Sequence, residues 1–135
     1  MKRFFYVFCL TVLMVSILTG AAPTPNTTFT LVQGLPSTMS IGETRTVIVH
    51  VASDQQFISV TALPSFQFPG KGVVAVQGGD RTGRGTSATL EVTFKAKGST
   101  AAMPGGVAPV YVVVGVRYAG GYVAVQEYIF NVTVP

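Results

Sequence analysis

The residue types that usually carry catalysis or metal binding are sparse in this sequence. It holds one histidine, His50, one cysteine, Cys9, and five carboxylates that lie far apart: Glu43, Asp54, Asp80, Glu91 and Glu127. The same-face neighbours of His50 along its strand-like run are Ile48 and Ala52, so no second ligand accompanies it. Zinc sites and glycosidase dyads need several such groups at a fixed spacing. The sequence therefore predicts no catalytic residue, no metal ligand, no cofactor and no enzymatic activity.

The glycine-rich segment GGDRTGRG, at 78–85, is the loop whose composition best suits a small ligand. Its backbone amides could cradle an anion, and its arginines could hold a carboxylate or a phosphate. The candidate anion-contacting residues are Asp80, Arg81 and Arg84. The segment matches no phosphate-binding fingerprint, so a flexible connection between two strands is the favoured interpretation.

Residues 1–21 have the composition of a secretory signal peptide. Two basic residues, Lys2 and Arg3, precede an apolar run that ends at Leu18, and small residues follow it. This run is shorter than the roughly 20 residues that a membrane-spanning helix needs. We therefore expect cleavage after Ala21, with no membrane span left in the mature chain. The expected location is secreted or associated with the cell surface, with the periplasm as an alternative.

Cleavage changes both the charge and the cysteine content of the chain. Loss of Lys2 and Arg3 lowers the formal net charge from +4 to +2, and Cys9 leaves with the signal peptide. The mature chain has no cluster of Lys and Arg, which argues against nucleic acid as a partner. Without cysteine it must be held by apolar packing and backbone hydrogen bonds instead of disulfides. Residues 22–27 are predicted to form an extended leader rich in Pro and Thr.

Residues 28–135 alternate short β-rich runs with turn residues, as sandwiches and barrels do. The pattern is clearest in TSATLEVTFKAK at 86–97, where apolar residues alternate with Ser, Thr, Glu and Lys. Such a strand has one face in the core and one face in water. We predict an all-β, immunoglobulin-like antiparallel β-sandwich of about seven to eight strands.

The predicted strands can be assigned to two sheets. Their ranges are 28–33, 44–52, 57–63, 73–77, 86–97, 110–118 and 122–134. In an immunoglobulin-like arrangement the first, second, fifth and fourth strands form one sheet, and the third, sixth and seventh form the other. Glycines at 120 and 121 are expected to close a hairpin between the last two strands.

Three segments resemble a known domain family. LPSTMSIGETRTVIVHV, at 35–51, is similar to the opening of CARDB-like, cell-adhesion-related immunoglobulin-like domains, with a Gly-Glu turn before a Thr/Val strand. GTSATLEVTFKAK and VYVVVGVRYAGGY resemble the later strands of those domains. The resemblance implies an immunoglobulin-like domain of the kind found in bacterial and archaeal surface and S-layer-associated proteins. It implies no catalytic residues.

The segment PVYVVVGVRY, at 109–118, is apolar on both of its faces. If its even-numbered valines face the core, Tyr111 and Val113 must face outward. Outward positions on the neighbouring predicted strands extend this surface, and the candidate interaction face is Phe57, Leu63, Tyr111, Val113, Val123, Val125 and Ile129. A large exposed apolar patch usually marks an interaction surface. The alternative is that residues 65–72 or 98–106 fold over it.

Three functions would use such a face. The first is a structural or adhesion domain at the cell surface that contacts a protein partner or another copy of itself. The second is a subunit of an extracellular filament or surface layer, assembled by strand exchange through the leader and first strand. The third is a carbohydrate-binding module, with candidate aromatic residues Tyr111, Tyr118, Tyr122 and Tyr128. Asn26 and Asn131 stand in N-glycosylation patterns and are candidate modification sites.

Overall fold

The described part of the chain is built from β-strands and one short 3-10 turn. The computed structural model describes residues 23–65 and 72–135. The strands are β1 (Thr27–Gln33), β2 (Thr44–Ser65), β3 (Val73–Gln77), β4 (Asp80–Thr82), β5 (Gly85–Ala96), β6 (Ala108–Tyr118) and β7 (Val123–Val132), and the 3-10 turn is Pro104–Gly106. The predicted signal peptide and the first leader residue lie outside the described residues.

The long strand β2 belongs to both layers of the sandwich. Its first half pairs with β1 and β5, and its second half pairs with β4 and β6. The pairing with β5 shifts in register between Ala52 and Phe57, which is where the strand passes from one layer to the other. Two separate strands were predicted over 44–52 and 57–63, and that prediction is wrong because the polar stretch between them bends without leaving the strand conformation.

The two layers have the predicted strand order. The first layer runs β1-β2-β5-β3 and the second runs β4-β2-β6-β7, with every neighbouring pair antiparallel. This arrangement confirms the all-β, immunoglobulin-like sandwich at the level of fold. A parallel bridge from Thr38 to Thr133 ties the segment after β1 to the residue that follows β7.

The core lies between the layers and follows from the alternation of side chains along each strand. On β5 the buried residues are every second one from Ala88 to Ala96, and on β6 the even-numbered valines are buried. Phe57, Phe94, Met39 and Leu90 are the largest side chains that are fully buried. Burying a side chain of this size contributes roughly 1.5–3 kcal/mol, so apolar packing can hold the fold without a disulfide.

The glycine-rich segment forms part of a sheet instead of a free loop. Asp80 to Thr82 make strand β4, whose residues pair with Val60 to Ala62 of β2. The carboxylate Oδ2 of Asp80 accepts a hydrogen bond of 2.9 Å from the backbone N–H of Glu91. The favoured interpretation of this segment as a flexible connection is therefore wrong, because backbone pairing and the Asp80 side chain fix its first half.

The chain after β7 is anchored by a buried hydroxyl. Thr100 is fully buried, and its Oγ1 donates to the carbonyl oxygen of Gly106 at 2.7 Å and accepts from the N–H of Val134 at 2.9 Å. The N–H of Thr100 also donates to the carbonyl of Val134 at 2.8 Å. The loop at 98–106 is thereby bound to the chain end that follows β7.

Candidate interaction surface

The outward side of the second layer is largely apolar. We call this surface the apolar wall and define it by Leu63 of β2, Tyr111 and Val113 of β6, and Val123, Val125 and Ile129 of β7. Leu63 pairs with Val113, and Tyr111 pairs with Ile129, so neighbours across the strands share this face. The exposed fractions are 49% for Leu63, 50% for Val123, 61% for Val125 and 55% for Ile129.

One predicted member of the interaction face lies in the core. Phe57 has an exposed fraction of 0%. The register between β2 and β6 shifts between Phe57 and Ser59, so Ile58 occupies a bulge and both Phe57 and Val60 turn inward. The placement of Phe57 on the outer face is therefore wrong. A bulge inserts one extra residue and reverses the side-chain alternation after it, which strict alternation along the sequence could not reveal.

Two charged residues interrupt the apolar wall, and the sequence prediction omitted them. Glu127 lies opposite Val113, and Arg117 lies opposite Val123. Both are exposed and both share the outward positions of their strands. The signal was present in the sequence, because Glu127 stands two residues from both Val125 and Ile129. The wall is therefore an apolar surface with one acid and one base within it, and Arg81 of β4 lies on the same outward side, opposite Thr61.

The described loops leave the wall uncovered. The hydroxyl of Thr100 bonds Gly106 within the 98–106 loop and Val134 after β7, so the loop lies beside the end of the chain. On its other side, the sulfur of Met103 lies 3.4 Å from the point where a Cβ on Gly72 would lie. The four exposed wall residues retain between 49% and 61% of their accessible surface in its presence. Residues 66–71, the other predicted cover, lie outside the described residues. The 98–106 loop therefore does not bury the wall.

The outward side of the first layer is polar and internally hydrogen-bonded. Its facing side chains include Thr46, which lies 3.0 Å from Thr93 through the two Oγ1 atoms, and His50, whose Nδ1 lies 3.1 Å from the hydroxyl of Thr89. We call this surface the polar wall. Its cross-strand bonds satisfy polar side chains within the sheet, whereas the apolar wall offers surface that is stabilised only when something covers it.

Strand β7 is an edge strand: no other strand among the described residues pairs with its outer side between Val123 and Val132. The N–H of Tyr118 donates to the carbonyl of Tyr122 at 2.9 Å, so these two residues form a hydrogen-bonded pair of the antiparallel ladder. The even-numbered residues of β7 therefore direct their backbone N–H and C=O groups toward β6. The odd-numbered residues must then direct their N–H and C=O groups away from β6. Thr133 follows this rule, because its N–H bonds the carbonyl of Ser37 and its C=O accepts from Met39.

The four candidate sugar-binding tyrosines do not form one platform. Tyr111 belongs to the apolar wall, while Tyr128 lies opposite the buried Val112 and faces inward. Tyr118 is buried and its hydroxyl lies 2.7 Å from Ser53 and 2.6 Å from Thr27. Tyr122 is exposed beside Tyr118, with ring centroids 5.8 Å apart. Stacking a sugar needs aromatic rings on a common surface, and these rings point in different directions.

The remaining candidate residues are distributed over the surface. Arg81 lies opposite Thr61 and is exposed, and Arg84 is exposed in the turn before β5. Both candidate glycosylation residues, Asn26 and Asn131, are exposed. The backbone N–H of Asn26 bonds Oδ1 of Asp54 at 2.8 Å, so the leader lies against its own domain. Whether any of these residues binds an anion or carries a glycan stays a prediction.

The described residues also contain no group of three or more His, Cys, Asp or Glu side chains placed to hold a metal ion. Over the same residues, no helix has the length and apolar character needed to cross a membrane.

Comparisons with known proteins assign this chain to no family. No protein-family model matches the chain, and no curated protein matches it. One similar solved structure is the native conformation of E. coli alpha-2-macroglobulin, determined by cryo-electron microscopy, at 18% sequence identity and a TM-score of 0.45 over 85% of this chain. The chain spans 7% of the length of that protein. A likeness at this level carries no inference about activity or partners.

Proposed function

We propose that this chain is a non-enzymatic, immunoglobulin-like β-sandwich that acts at or outside the cell surface by non-covalent protein–protein contacts through the apolar wall. The observation that carries the proposal is the exposure of Leu63, Val125 and Ile129 together on one side of a well-packed sandwich. Large apolar side chains gathered on one surface of a soluble domain usually belong to an interface.

The energy available from covering such a surface is large enough to hold a partner. At about 25 cal/mol per Å2, burying roughly 400 Å2 of apolar surface contributes on the order of 10 kcal/mol. The loss of translational and rotational freedom and the ordering of side chains consume much of that free energy. The remainder still supports binding, and Glu127 and Arg117 within the wall would give it orientation.

The cell-surface location is supported by the sequence of the N-terminal region and by the resemblance to CARDB-like domains. A basic start, an apolar run and small residues precede the mature chain that we expect to begin at Ala22. The non-enzymatic assignment is supported by the scarcity of convergent acid, base and nucleophile groups in the sequence. Strand exchange through β1 receives less support, because β1 pairs with β2 of its own domain from Thr27 to Gln33.

A photo-crosslinking experiment in intact producing cells tests the proposal. The full chain would carry p-benzoylphenylalanine at Tyr111, on the apolar wall, or at Thr89, an exposed position of the polar wall. We expect covalent adducts from position 111 and few from position 89. Addition of Leu63→Lys should abolish the adducts, because it places a charge in the contact. Equal yields from the two walls, or no adduct at position 111, would overturn the proposal.

A further inference from the structure

The four edge strands of the sandwich differ in how they are protected against pairing with another chain. Strand β1 has a register shift between Leu31 and Gln33, and β3 has one between Ala75 and Gln77. Strand β4 has only 3 residues, two of which are Asp80 and Arg81. Irregular, short or charged edges are the devices that natural sheets use against edge-to-edge association.

Strand β7 has none of these devices. It has 10 residues, contains no Pro, Lys or Arg, and pairs with β6 in one unbroken register from Val123 to Val132. Its only charge is Glu127. The odd-numbered residues direct their backbone groups to the open side, as the pairing of Thr133 with Ser37 and Met39 shows. The carbonyl of Glu127 meanwhile accepts from the side chain of Gln126 at 3.0 Å, a bond within the same strand.

We propose that the free edge of β7 pairs antiparallel with β7 of a second copy of this chain, across a two-fold axis. This inference goes beyond the proposed function, because it uses the backbone edge of β7 with a second copy of the chain as the partner and leaves the apolar wall exposed. Of the edges in the described residues, β7 alone is long, regular and nearly uncharged. A second copy of the chain presents the same unprotected edge, so the two edges suit each other. The pairing makes a sheet that is continuous through both subunits, and the two apolar walls become one surface.

The charge of Glu127 and the backbone bonds of Thr133 restrict the register of this pairing. Centring the pair on residue 127 would set the two carboxylates directly opposite each other, which destabilises a sheet. Shifting the axis toward the end of β7 would drive Val123 against Thr133 of the partner subunit, whose backbone groups already bond Ser37 and Met39. Moving the axis to Gln126 avoids both conflicts.

With the axis at Gln126, the contacts between the two strands from Val123 to Ile129 are compatible. Glu127 lies opposite Val125 of the partner subunit, and Val123 lies opposite Ile129 of the partner subunit. On the inner side, Ala124 lies opposite the partner's Tyr128, and both side chains are partly buried against the core in one subunit. Gln126 meets the same residue of the partner subunit, and an amide can both donate to and accept from its copy.

A single engineered cysteine tests this register. In the full chain carrying Cys9→Ser, Gln126→Cys introduces the only thiol. Residues opposite each other in a non-hydrogen-bonded antiparallel pair have Cα atoms about 4.5 Å apart, within disulfide range. We expect mild oxidation to yield a disulfide-linked dimer on a non-reducing gel. The matched control is Gln77→Cys, an exposed glutamine on the edge strand β3, which should stay monomeric. Equal cross-linking of the two variants would overturn the proposal.

A charged substitution provides a second measurement. Val125→Lys places a lysine at the edge of β7, as natural edge strands do, and we expect the dimer seen by light scattering to dissociate at least about tenfold more readily, a change of about 1.4 kcal/mol. Val76→Lys, at an exposed position of β3, should leave the dimer unchanged. Thermal unfolding of both variants establishes that they fold. A monomeric parent chain, or a dimer unaffected by Val125→Lys, would contradict the proposal.

The two proposals fail in distinguishable ways. Adducts of Tyr111 with a different protein, together with no disulfide from Gln126→Cys, would overturn the edge pairing and leave the protein-contact function standing. Absence of any adduct at position 111 would overturn the function itself.

Discussion

The two outer walls of the sandwich cover equally well-packed inner faces yet offer opposite chemistry to their surroundings. On the polar wall, Thr46 bonds Thr93 and His50 bonds Thr89 across the strands. On the apolar wall, Leu63 and Val113 lie side by side, as do Tyr111 and Ile129. The exposed fractions are 49% for Leu63 and 55% for Ile129, while Tyr111 and Val113 are partly buried. Folding needs only the inner faces to be apolar. The fold therefore does not require this difference, and the proposed function attributes it to contacts made by the apolar wall.

The largest expected effect is the difference in stability loss between a core residue and an apolar-wall residue of β2. Phe57→Ala removes a fully buried ring and should lower the free energy of unfolding by about 3–5 kcal/mol. Leu63→Ala, on the apolar wall of the same strand, should change it by less than about 1 kcal/mol. Urea denaturation of both variants measures the contrast. Similar losses of stability for the two variants would mean that Leu63 is also an interior residue, which would contradict its place on the apolar wall.

A smaller effect is expected where β7 is anchored at its end. Thr100→Val keeps the shape of the buried side chain but removes the hydroxyl that bonds Gly106 and Val134. The unpaired backbone groups should cost about 1–3 kcal/mol. Thr86→Val, at an exposed position of β5, is the control and should change stability by no more than about 0.5 kcal/mol. Equal unfolding midpoints for the two variants would show that the hydroxyl contributes nothing to holding the end of β7.

The smallest effect concerns the inner side of β7 and depends on pH. Partial burial raises the pKa of Tyr128 above its ordinary value, because desolvation penalises the charged phenolate. The resulting stability is complete below the pKa of tyrosine in the unfolded chain and is lost as pH rises through the raised folded-state value. Unfolding free energies of the parent and Tyr128→Phe are measured at about pH 8 and about pH 11. The decrease between the two pH values should be larger in the parent, because only the parent carries this loss. Parallel losses in both proteins would place Tyr128 in water.

The layered fold was accessible from the sequence because alternation is a local signal. The segment 86–97 shows it residue by residue, and β5 has the inward and outward faces that it predicts. The run at 109–118 likewise predicted an outward position for Tyr111 and Val113, and both lie outward and partly exposed on β6. These features depend on the period of the strand and on little else.

Several of the features that sequence reasoning missed depend on contacts between distant parts of the chain. The bulge at Ile58 is set by the pairing of β2 with β6, so the inward turn of Phe57 left no mark in the local pattern. The composition of 78–85 gave no sign that Asp80 would pair with Ala62 to form a strand. The lack of Lys and Pro in β7 is visible in the sequence, but which edge stays open is decided by the order of strands in the sheet.

The passage of β2 through both layers also bears on how the molecule opens. If β1 detaches, the first half of β2 is still paired with β5. If β4 detaches, the second half of β2 is still paired with β6. Amide protons along this strand should therefore be among the slowest in the chain to exchange with solvent, since their release requires the sandwich to come apart as a whole. Because both layers share this strand, we expect them to unfold in one cooperative transition under heat or denaturant.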